Sequence, residues 1–321
     1  MWLVLRRCRS DWLWSCASVK PTARLKTTKF AKLIWKQQEA TLRRRLRNTM
    51  PFDVASMLPD IWVTNLPAII VVMPLIIAPI IAALPNWRVS WTLSLITLVI
   101  SFISALALLN EVETFGRVSY ALGGFAPPLG IEFAVDGLNA PILLLVTVMS
   151  ILALIFALPT IIKDIREEKR SLFFTAYLMC VAGLIGVAIT GDAFNLFVFL
   201  EISSLSTYVL VALGATRDRR ALPAAFNYLV MGTIGATFYV IGVGFLFAAT
   251  GTLNMADMAT RIPELSDTRT IQAGFAFIVV GLGLKAAIYP LHQWLPPAYA
   301  YAPSFVTVFL SATATKVAFY A

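Results

Sequence analysis

The architecture of this chain can be read from FNLFVFLEISSLSTYVLVAL, residues 194–213. An α-helix needs about 20 apolar residues to cross the roughly 30 Å hydrocarbon core of a bilayer, and this segment has that length. One charged residue, Glu201, lies inside it. A charge there costs at least about 2.5 kcal/mol, so such residues usually face the interior of a helix bundle, pair with another group and mark a functional site. The segment therefore predicts a membrane helix with a buried carboxylate.

Composition supports the same interpretation for most of the chain. Hydrophobic residues make up 59% and charged residues 13%, whereas a soluble domain has about 25% charged residues. Eight apolar runs are predicted to span the membrane, at roughly 66–84, 89–109, 137–159, 171–190, 193–213, 224–249, 271–291 and 302–321. Two longer breaks, 110–136 and 250–270, are rich in Gly, Pro and charge and predict extramembrane hairpins or surface helices. The predicted fold is an all-α integral membrane bundle in a lipid bilayer.

The net charge of +9 is confined to the N-terminal tail. Residues 1–50 hold 13 of the 26 Lys and Arg but only 2 of the 17 acidic residues, which leaves −2 for the rest of the chain. A nucleic-acid partner is therefore not expected. The three cysteines form no CxxC pair or His/Cys cluster, so neither a disulfide framework nor a metal site is predicted. No cofactor motif is present: the glycine pairs follow no predicted strand, which excludes a nucleotide-binding fingerprint.

The basic residues of the loops predict the orientation. One side of the membrane receives eight of them, Arg88, Lys163, Arg166, Lys169, Arg170, Arg217, Arg219 and Arg220, and the other side receives three, Arg117, Arg261 and Arg269. The positive-inside rule then places the first side in the cytoplasm and the N-terminus on the outer face of the cell (inner) membrane.

The basic tail, residues 1–57, contradicts that orientation. It is interpretable as a transit peptide, a cytoplasmic anchor, a solvated basic arm, or upstream sequence that is not translated. We favour the last, with the start of translation at Met50 or Met57, because the rest of the chain obeys the positive-inside rule without the tail. At the other end the sequence stops inside its eighth apolar run, at Ala321, and this predicts a fragment of a longer protein, truncated at the C-terminus.

Two lysines accompany Glu201 inside apolar runs. Lys285 lies in the seventh run and Lys316 in the eighth. Snorkelling lysines or a purely structural ion pair are the alternatives to a functional role, but neither Glu201 nor Lys285 lies at the rim of its run. A carboxylate that approaches a buried lysine stabilises the ammonium, and its withdrawal favours proton release. The three residues are therefore candidates for a proton relay that needs neither a nucleophile nor a metal.

His292 is the fourth candidate. It is the only histidine, and it lies in PLHQWLPP, residues 290–297, directly after the run that holds Lys285. A lone histidine is usually structural, yet this one lies at a proline-broken helix end, and discontinuous helices recur at transporter ion sites.

Two other features receive structural interpretations. Asp192, at the turn before the fifth run, is interpreted as a helix N-cap rather than a proton-uptake group. The glycine pairs at 232 and 235, 242 and 244, and 281 and 283 predict close helix packing.

Four stretches resemble one known family. Residues 191–204, GDAFNLFVFLEISS, resemble the fifth-helix motif of the antiporter-like subunits shared by respiratory complex I and Mrp-type multisubunit cation/proton antiporters. Residues 281–296, GLGLKAAIYPLHQWLP, resemble the broken seventh helix of that family, and residues 313–320, TATKVAFY, its eighth. Residues 250–257, TGTLNMAD, look more like the Mrp D-type subunit than the complex I members. The resemblance extends over about residues 60–321.

The resemblance implies an organisation for the chain. It makes the chain the first half of an inverted-repeat fold of about 14 helices. Residues 58–160 would then form transmembrane helices 1–3. Residues 161–321 would form one proton half-channel, helices 4–8, with a broken seventh helix. The second half-channel of the family is missing, so this part alone is not expected to transport.

The resemblance also implies roles. Glu201 would be the modulating carboxylate, Lys285 the central proton carrier, Lys316 the onward relay and His292 the first histidine of the linker. Tyr299 departs from complex I members, which usually carry a second histidine there, and this weakens a relay through histidines and favours the Mrp D-type subunit.

The implied function is proton translocation in a multisubunit monovalent cation (Na⁺)/H⁺ antiporter, beside sibling membrane subunits. The alternatives are a proton-pumping subunit of an NADH:quinone oxidoreductase, whose redox chemistry occurs on other chains, and an inactive fragment or scaffold.

Overall fold

The computed structural model describes residues 60–321. The basic tail lies outside these residues, and so do the predictions about its processing and the start of translation. Six long helices form most of the described part: α1 Asp60–Ala82, α2 Trp87–Phe115, α3 Asn139–Asp164, α4 Glu167–Ile189, α5 Ala193–Ala212 and α6 Ala221–Thr250. Within residues 60–321 these six are long and apolar enough to cross a membrane. They correspond to the first six predicted runs.

The seventh and eighth predicted runs are each interrupted. After a short surface helix, α7 (Met255–Leu265), helix α8 (Arg269–Lys285) ends earlier than predicted. An irregular segment leads to α9 (Leu295–Tyr301), which is followed by α10 (Ser304–Ala312) and α11 (Ala314–Tyr320). The predicted broken seventh helix is thus confirmed.

The eighth run, predicted at roughly 302–321, holds an apolar helical stretch from Ser304 to Tyr320. Its helix is distorted at Thr313, where the backbone has φ −121° and ψ −58°. The Thr313 hydroxyl donates to the Phe309 carbonyl oxygen at 2.7 Å. A threonine hydroxyl bonded to the preceding turn commonly bends a helix, and this accounts for the separation of α10 from α11.

Both long breaks contain elements of the predicted kind, a hairpin and a short helix. The first holds an antiparallel hairpin, β1 (Val118–Ala121) paired with β2 (Glu132–Val135). The second holds the surface helix α7. Short 3₁₀ turns lie at Leu122–Gly124 and Leu213–Thr216.

The hairpin is tied to two other loops by Glu132. Its carboxylate is buried, and it accepts hydrogen bonds from Ser119 Oγ at 2.6 Å and Asn254 Nδ2 at 2.7 Å. The Arg117 guanidinium lies 3.3 Å away. The Glu132 carbonyl oxygen accepts from the Gly191 N–H at 2.8 Å. One residue therefore joins the hairpin to the turn before α5 and to the turn before α7, and we call these contacts the Glu132 clamp.

Replacing Glu132 by alanine is expected to destabilise the protein by about 2–3 kcal/mol, because the buried Asn254 amide loses its acceptor. Arg117 adds little, since its side chain is 48% exposed and can be hydrated. Thermal unfolding of the purified protein in detergent measures the effect. Glu113→Ala is the matched control, because Glu113 is exposed on the last turns of α2; an equal loss in both variants would contradict the role of the Glu132 clamp.

Helices α6 and α8 pack with their backbones in close approach, as the glycine pairs predicted. A Cβ on Gly281 would lie 2.6 Å from the Gly235 carbonyl oxygen, and one on Gly242 would lie 2.7 Å from the Gly274 carbonyl oxygen. Gly232 instead leaves room for the Tyr208 ring of α5. The prediction was wrong for the second glycine of two pairs: Gly244 has no atom within 4 Å of such a Cβ, and at Gly283 the nearest is at 3.9 Å.

Candidate functional site

Glu201 and Lys285 meet between α5 and α8. The Lys285 Nζ lies 3.4 Å from Glu201 Oε1 and donates a hydrogen bond of 2.5 Å to Ser204 Oγ. Glu201 and Ser204 are three residues apart on α5, so they share one face of that helix. The sequence pointed to the two charged residues but not to Ser204, because serines recur along this segment and none carries a signal of its own.

The pair lies in the interior. The Lys285 side chain is 6% exposed and that of Glu201 is 21% exposed. Besides the carboxylate, the end of α8 stabilises the ammonium: Lys285 is the last residue of that helix, where unsatisfied carbonyls concentrate partial negative charge. A buried lysine held by one carboxylate and one hydroxyl can bind or release a proton when either partner moves.

A cavity of about 30 Å³ adjoins Lys285. It is large enough for about two water molecules. Its polar lining, apart from Lys285, consists of side chains from four elements: Ser203, Ser204, Thr207, Tyr228, Tyr299 and Thr315. The rest of the lining is mostly apolar. A space with six hydroxyl groups beside a buried ammonium is suited to the passage of a proton through water.

Trp294 fixes the irregular segment after α8. Its Nε1 donates to the Leu284 carbonyl oxygen at 3.0 Å, and its ring stacks on Tyr228 with centroids 4.2 Å apart. Ala287, with φ +55°, turns the chain away from the helix axis. The indole thereby adds a second hydrogen bond to the Leu284 carbonyl oxygen, which also accepts from the Ala287 N–H at 3.2 Å, next to Lys285 itself. The sequence showed the break, but not that Trp294 would support it.

His292 lies apart from this cavity. Its ring is half-buried and faces Tyr289, with ring centroids 5.6 Å apart, and its Nδ1 is buried with no protein hydrogen-bond partner. The side chains lining the cavity do not include it. The structure therefore does not bring the predicted histidine to the Glu201–Lys285 pair.

Lys316 is also placed outside the pair. Its side chain is exposed, and its Nζ donates to the Ser311 carbonyl oxygen and, at 3.4 Å, to Thr315 Oγ1. Thr315 lines the cavity, so Lys316 is one residue removed from it. Its role as an onward relay stays a prediction.

Asp192 caps α5 as predicted. Its carboxylate accepts a hydrogen bond of 2.7 Å from the Asn195 N–H. Burial raises the pKa of Asp192 above its ordinary value, and hydrogen bonds from the backbone of Asn195 and Phe194 partly oppose this. Within residues 60–321, no group of three or more His, Cys, Asp and Glu side chains could hold a metal ion.

Within residues 60–321, six helices long and apolar enough to cross a membrane surround a buried ion pair, as in a multi-pass membrane protein. Residues 190–321 match the family described as NADH:quinone oxidoreductase/Mrp antiporter, TM. This segment contains Glu201, Lys285, His292 and Lys316. The predicted resemblance to antiporter-like membrane subunits is confirmed.

Similar proteins are found among both NADH-quinone oxidoreductase subunits and Na(+)/H(+) antiporter subunits. The chain is 42% identical over 260 residues to the N-type subunit of the NADH-quinone oxidoreductase of Desulforudis audaxviator (strain MP104C), covering 80% of this chain and 51% of that protein. It is 35% identical over 214 residues to the D-type subunit of the Na(+)/H(+) antiporter of Bacillus subtilis (strain 168), covering 67% and 42%. The Mrp complex from Dietzia sp. DQ12-45-1b contains a chain of similar structure, with a TM-score of 0.71, 26% identity, and coverage of 80% of this chain and 47% of that one. The chain thus spans about half the length of the relatives it matches.

Proposed function

We propose that this chain is a proton-translocating membrane subunit of a multisubunit monovalent cation (Na⁺)/H⁺ antiporter. The observation that carries the proposal is the Lys285–Glu201 pair, buried at the end of a broken helix beside a cavity partly lined by hydroxyl groups. Proton transfer at this pair requires no metal and no cofactor. In this proposal Lys285 carries the proton, and Glu201 controls whether the proton stays.

The control is electrostatic. Unit charges about 4 Å apart near a protein surface attract by about 4 kcal/mol, and doubling the distance halves that attraction. At the observed 3.4 Å the pair favours the charged ammonium. Separation removes most of the attraction while the amine stays buried, so the proton is released to water in the adjoining cavity.

The relative from the Na(+)/H(+) antiporter and the similar Mrp chain support coupling to a cation. Tyr299, at a position where complex I members usually have histidine, favours the same interpretation. The second candidate is a proton-pumping subunit of an NADH:quinone oxidoreductase, which the 42% identity to the relative from such an enzyme favours. In that case the redox chemistry would occur on other chains.

The proposal includes a location and partners. The chain would lie in the cell membrane with the loops that hold eight basic residues in the cytoplasm and the N-terminus on the outer face. Sibling membrane subunits would complete the assembly, since the similar structure belongs to a multisubunit complex. Protein carrying a fusion tag at Met57, tested for labelling by an impermeant reagent in intact cells, checks the orientation.

The experiment that tests the function is proton/Na⁺ exchange in everted vesicles from an antiporter-deficient host that expresses the chain with its neighbouring genes. We expect Na⁺ to discharge an imposed pH gradient without any respiratory substrate, and Lys285→Ala vesicles to give no discharge. Pumping that requires NADH and Lys285 would favour the second candidate. If an assembled complex shows neither activity, both candidate functions fail, and the chain serves only as a structural scaffold.

A further inference from the structure

Tyr299 faces the cavity next to Lys285. Its hydroxyl oxygen is buried and lies beside the Thr315 side chain, but it makes no hydrogen bond of acceptable geometry to any protein atom. A buried hydroxyl without a partner costs about 1–3 kcal/mol. Buried water usually satisfies such groups, and both Tyr299 and Lys285 line a space that is large enough for about two water molecules. Water in this cavity would therefore bridge the two side chains.

The alternative route from Lys285 would pass through His292. That imidazole does not line the cavity, and its nearest aromatic neighbour, Tyr289, lies on the same irregular segment. Trp294 and Tyr228, stacked on each other, form another part of the cavity wall. A proton that leaves Lys285 into this space meets hydroxyl groups and no imidazole.

We propose that the proton released by Lys285 leaves through water in this cavity to the hydroxyls of Tyr299 and Thr315, and not through His292. This inference rests on the proposed function and names the exit from the same site. Thr315 is the residue before Lys316, so the route ends where the predicted onward relay begins.

The transfer is balanced at every step. One N–H bond of the Lys285 ammonium breaks, and a water oxygen gains the proton. That water passes a proton to the Tyr299 oxygen as the hydroxyl of Tyr299 gives its own proton, through a second water, to the Thr315 oxygen. Thr315 passes its own proton to Lys316 in the unprotonated amine form, whose Nζ lies 3.4 Å from Thr315 Oγ1, and both hydroxyls regain their starting composition. No oxidant, reductant or leaving group is involved.

The test compares two substitutions that each remove a single hydroxyl. Tyr299→Phe is expected to slow proton/Na⁺ exchange in vesicles at least about 10-fold with the complex assembled, since positioned proton-transfer groups contribute roughly 10²–10⁴-fold. Tyr239→Phe is the matched control: this tyrosine is also buried, but its hydroxyl donates to the Ala193 carbonyl oxygen at 3.0 Å, outside the cavity. Its exchange rate should stay within about 2-fold of wild type.

A solvent isotope measurement separates a relay from a packing role. If the hydroxyl carries the proton, its removal makes proton transfer rate-limiting, and the slowing in D₂O relative to H₂O should rise above the wild-type value in Tyr299→Phe. A packing defect would slow exchange equally in H₂O and in D₂O, and this result would overturn the proposal. Thr315→Val, which keeps the shape of the side chain, provides the same readout if Tyr299→Phe fails to assemble.

Two outcomes distinguish this inference from the proposed function. If Lys285→Ala abolishes exchange while both Tyr299→Phe and Thr315→Val match wild type, the exit route is wrong and the function stands. A loss in His292→Gln with none in Tyr299→Phe would place the proton on the imidazole and also overturn the route. If Lys285→Ala retains full exchange, the proposed function itself fails.

Discussion

Replacing Lys285 by methionine is expected to reduce proton transport about 100-fold or more while the complex still assembles. Methionine has a similar length and keeps the packing, but it cannot bind a proton. The lysine is buried and contacts both Glu201 and Ser204, so no solvent proton carrier can readily take its place. General acid–base groups contribute about 10²–10⁴-fold. Initial rates of the pH-gradient discharge, normalised to the amount of complex in the membrane, give the measurement.

A double variant distinguishes a proton carrier from a structural charge. Lys285→Met alone leaves the Glu201 carboxylate unpaired; removing one partner of a buried pair costs about 3–5 kcal/mol. The cost should be lower here, because the Glu201 side chain is 21% exposed. Adding Glu201→Gln should restore the unfolding temperature but not transport. Recovery of transport together with stability would show that Lys285 is only a structural charge.

Replacing Gly281 by valine is expected to remove most of the folded protein from the membrane. A Cβ at this position would lie 2.6 Å from the Gly235 carbonyl oxygen and 2.7 Å from the Tyr239 nitrogen. Both are backbone atoms of α6, so the two helices must separate. Overpacking costs about 1–3 kcal/mol, and the effect should lie at the upper end because no flexible side chain can yield. Size-exclusion chromatography of the tagged protein in detergent reports the monodisperse fraction.

Gly244→Val is the control for that prediction. Gly244 is exposed on α6, the helix against which Gly281 packs, and a Cβ there meets no atom within 4 Å. Its monodisperse fraction should equal that of wild type. If both variants were lost to the same extent, the effect would come from valine in a membrane helix and not from the approach of α6 to α8.

The sequence predicted those parts of the fold that depend on one segment at a time. Apolar length alone placed six helices, and charges inside apolar runs singled out Glu201 and Lys285. Prolines after Lys285 marked the broken helix. Each of these signals is local, because a single helix must satisfy its own backbone hydrogen bonds in lipid.

Features that depend on distant contacts could not be predicted in this way. Glu132 and Asn254 are far apart in the chain, and their 2.7 Å hydrogen bond exists only once the loops are assembled. His292 and Tyr299 are both near Lys285 in sequence, and composition favours the histidine for proton transfer. In the structure, however, Tyr299 and not His292 lines the cavity beside Lys285. The irregular segment after Ala287 turns the imidazole away, and α9 directs Tyr299 to the cavity.

The Glu132 clamp anchors the helix that carries one partner of the ion pair, Glu201. The start of α5 is fixed to its surroundings: Gly191 donates to the Glu132 carbonyl oxygen at 2.8 Å, and Ala193 donates to the Leu253 carbonyl oxygen at 2.9 Å. Glu201 lies on that anchored helix. Lys285, in contrast, carries its ammonium on a flexible four-carbon side chain at the end of α8. A change in the distance between the two charges would then come chiefly from movement of the Lys285 side chain, while the Glu201 carboxylate stays in place.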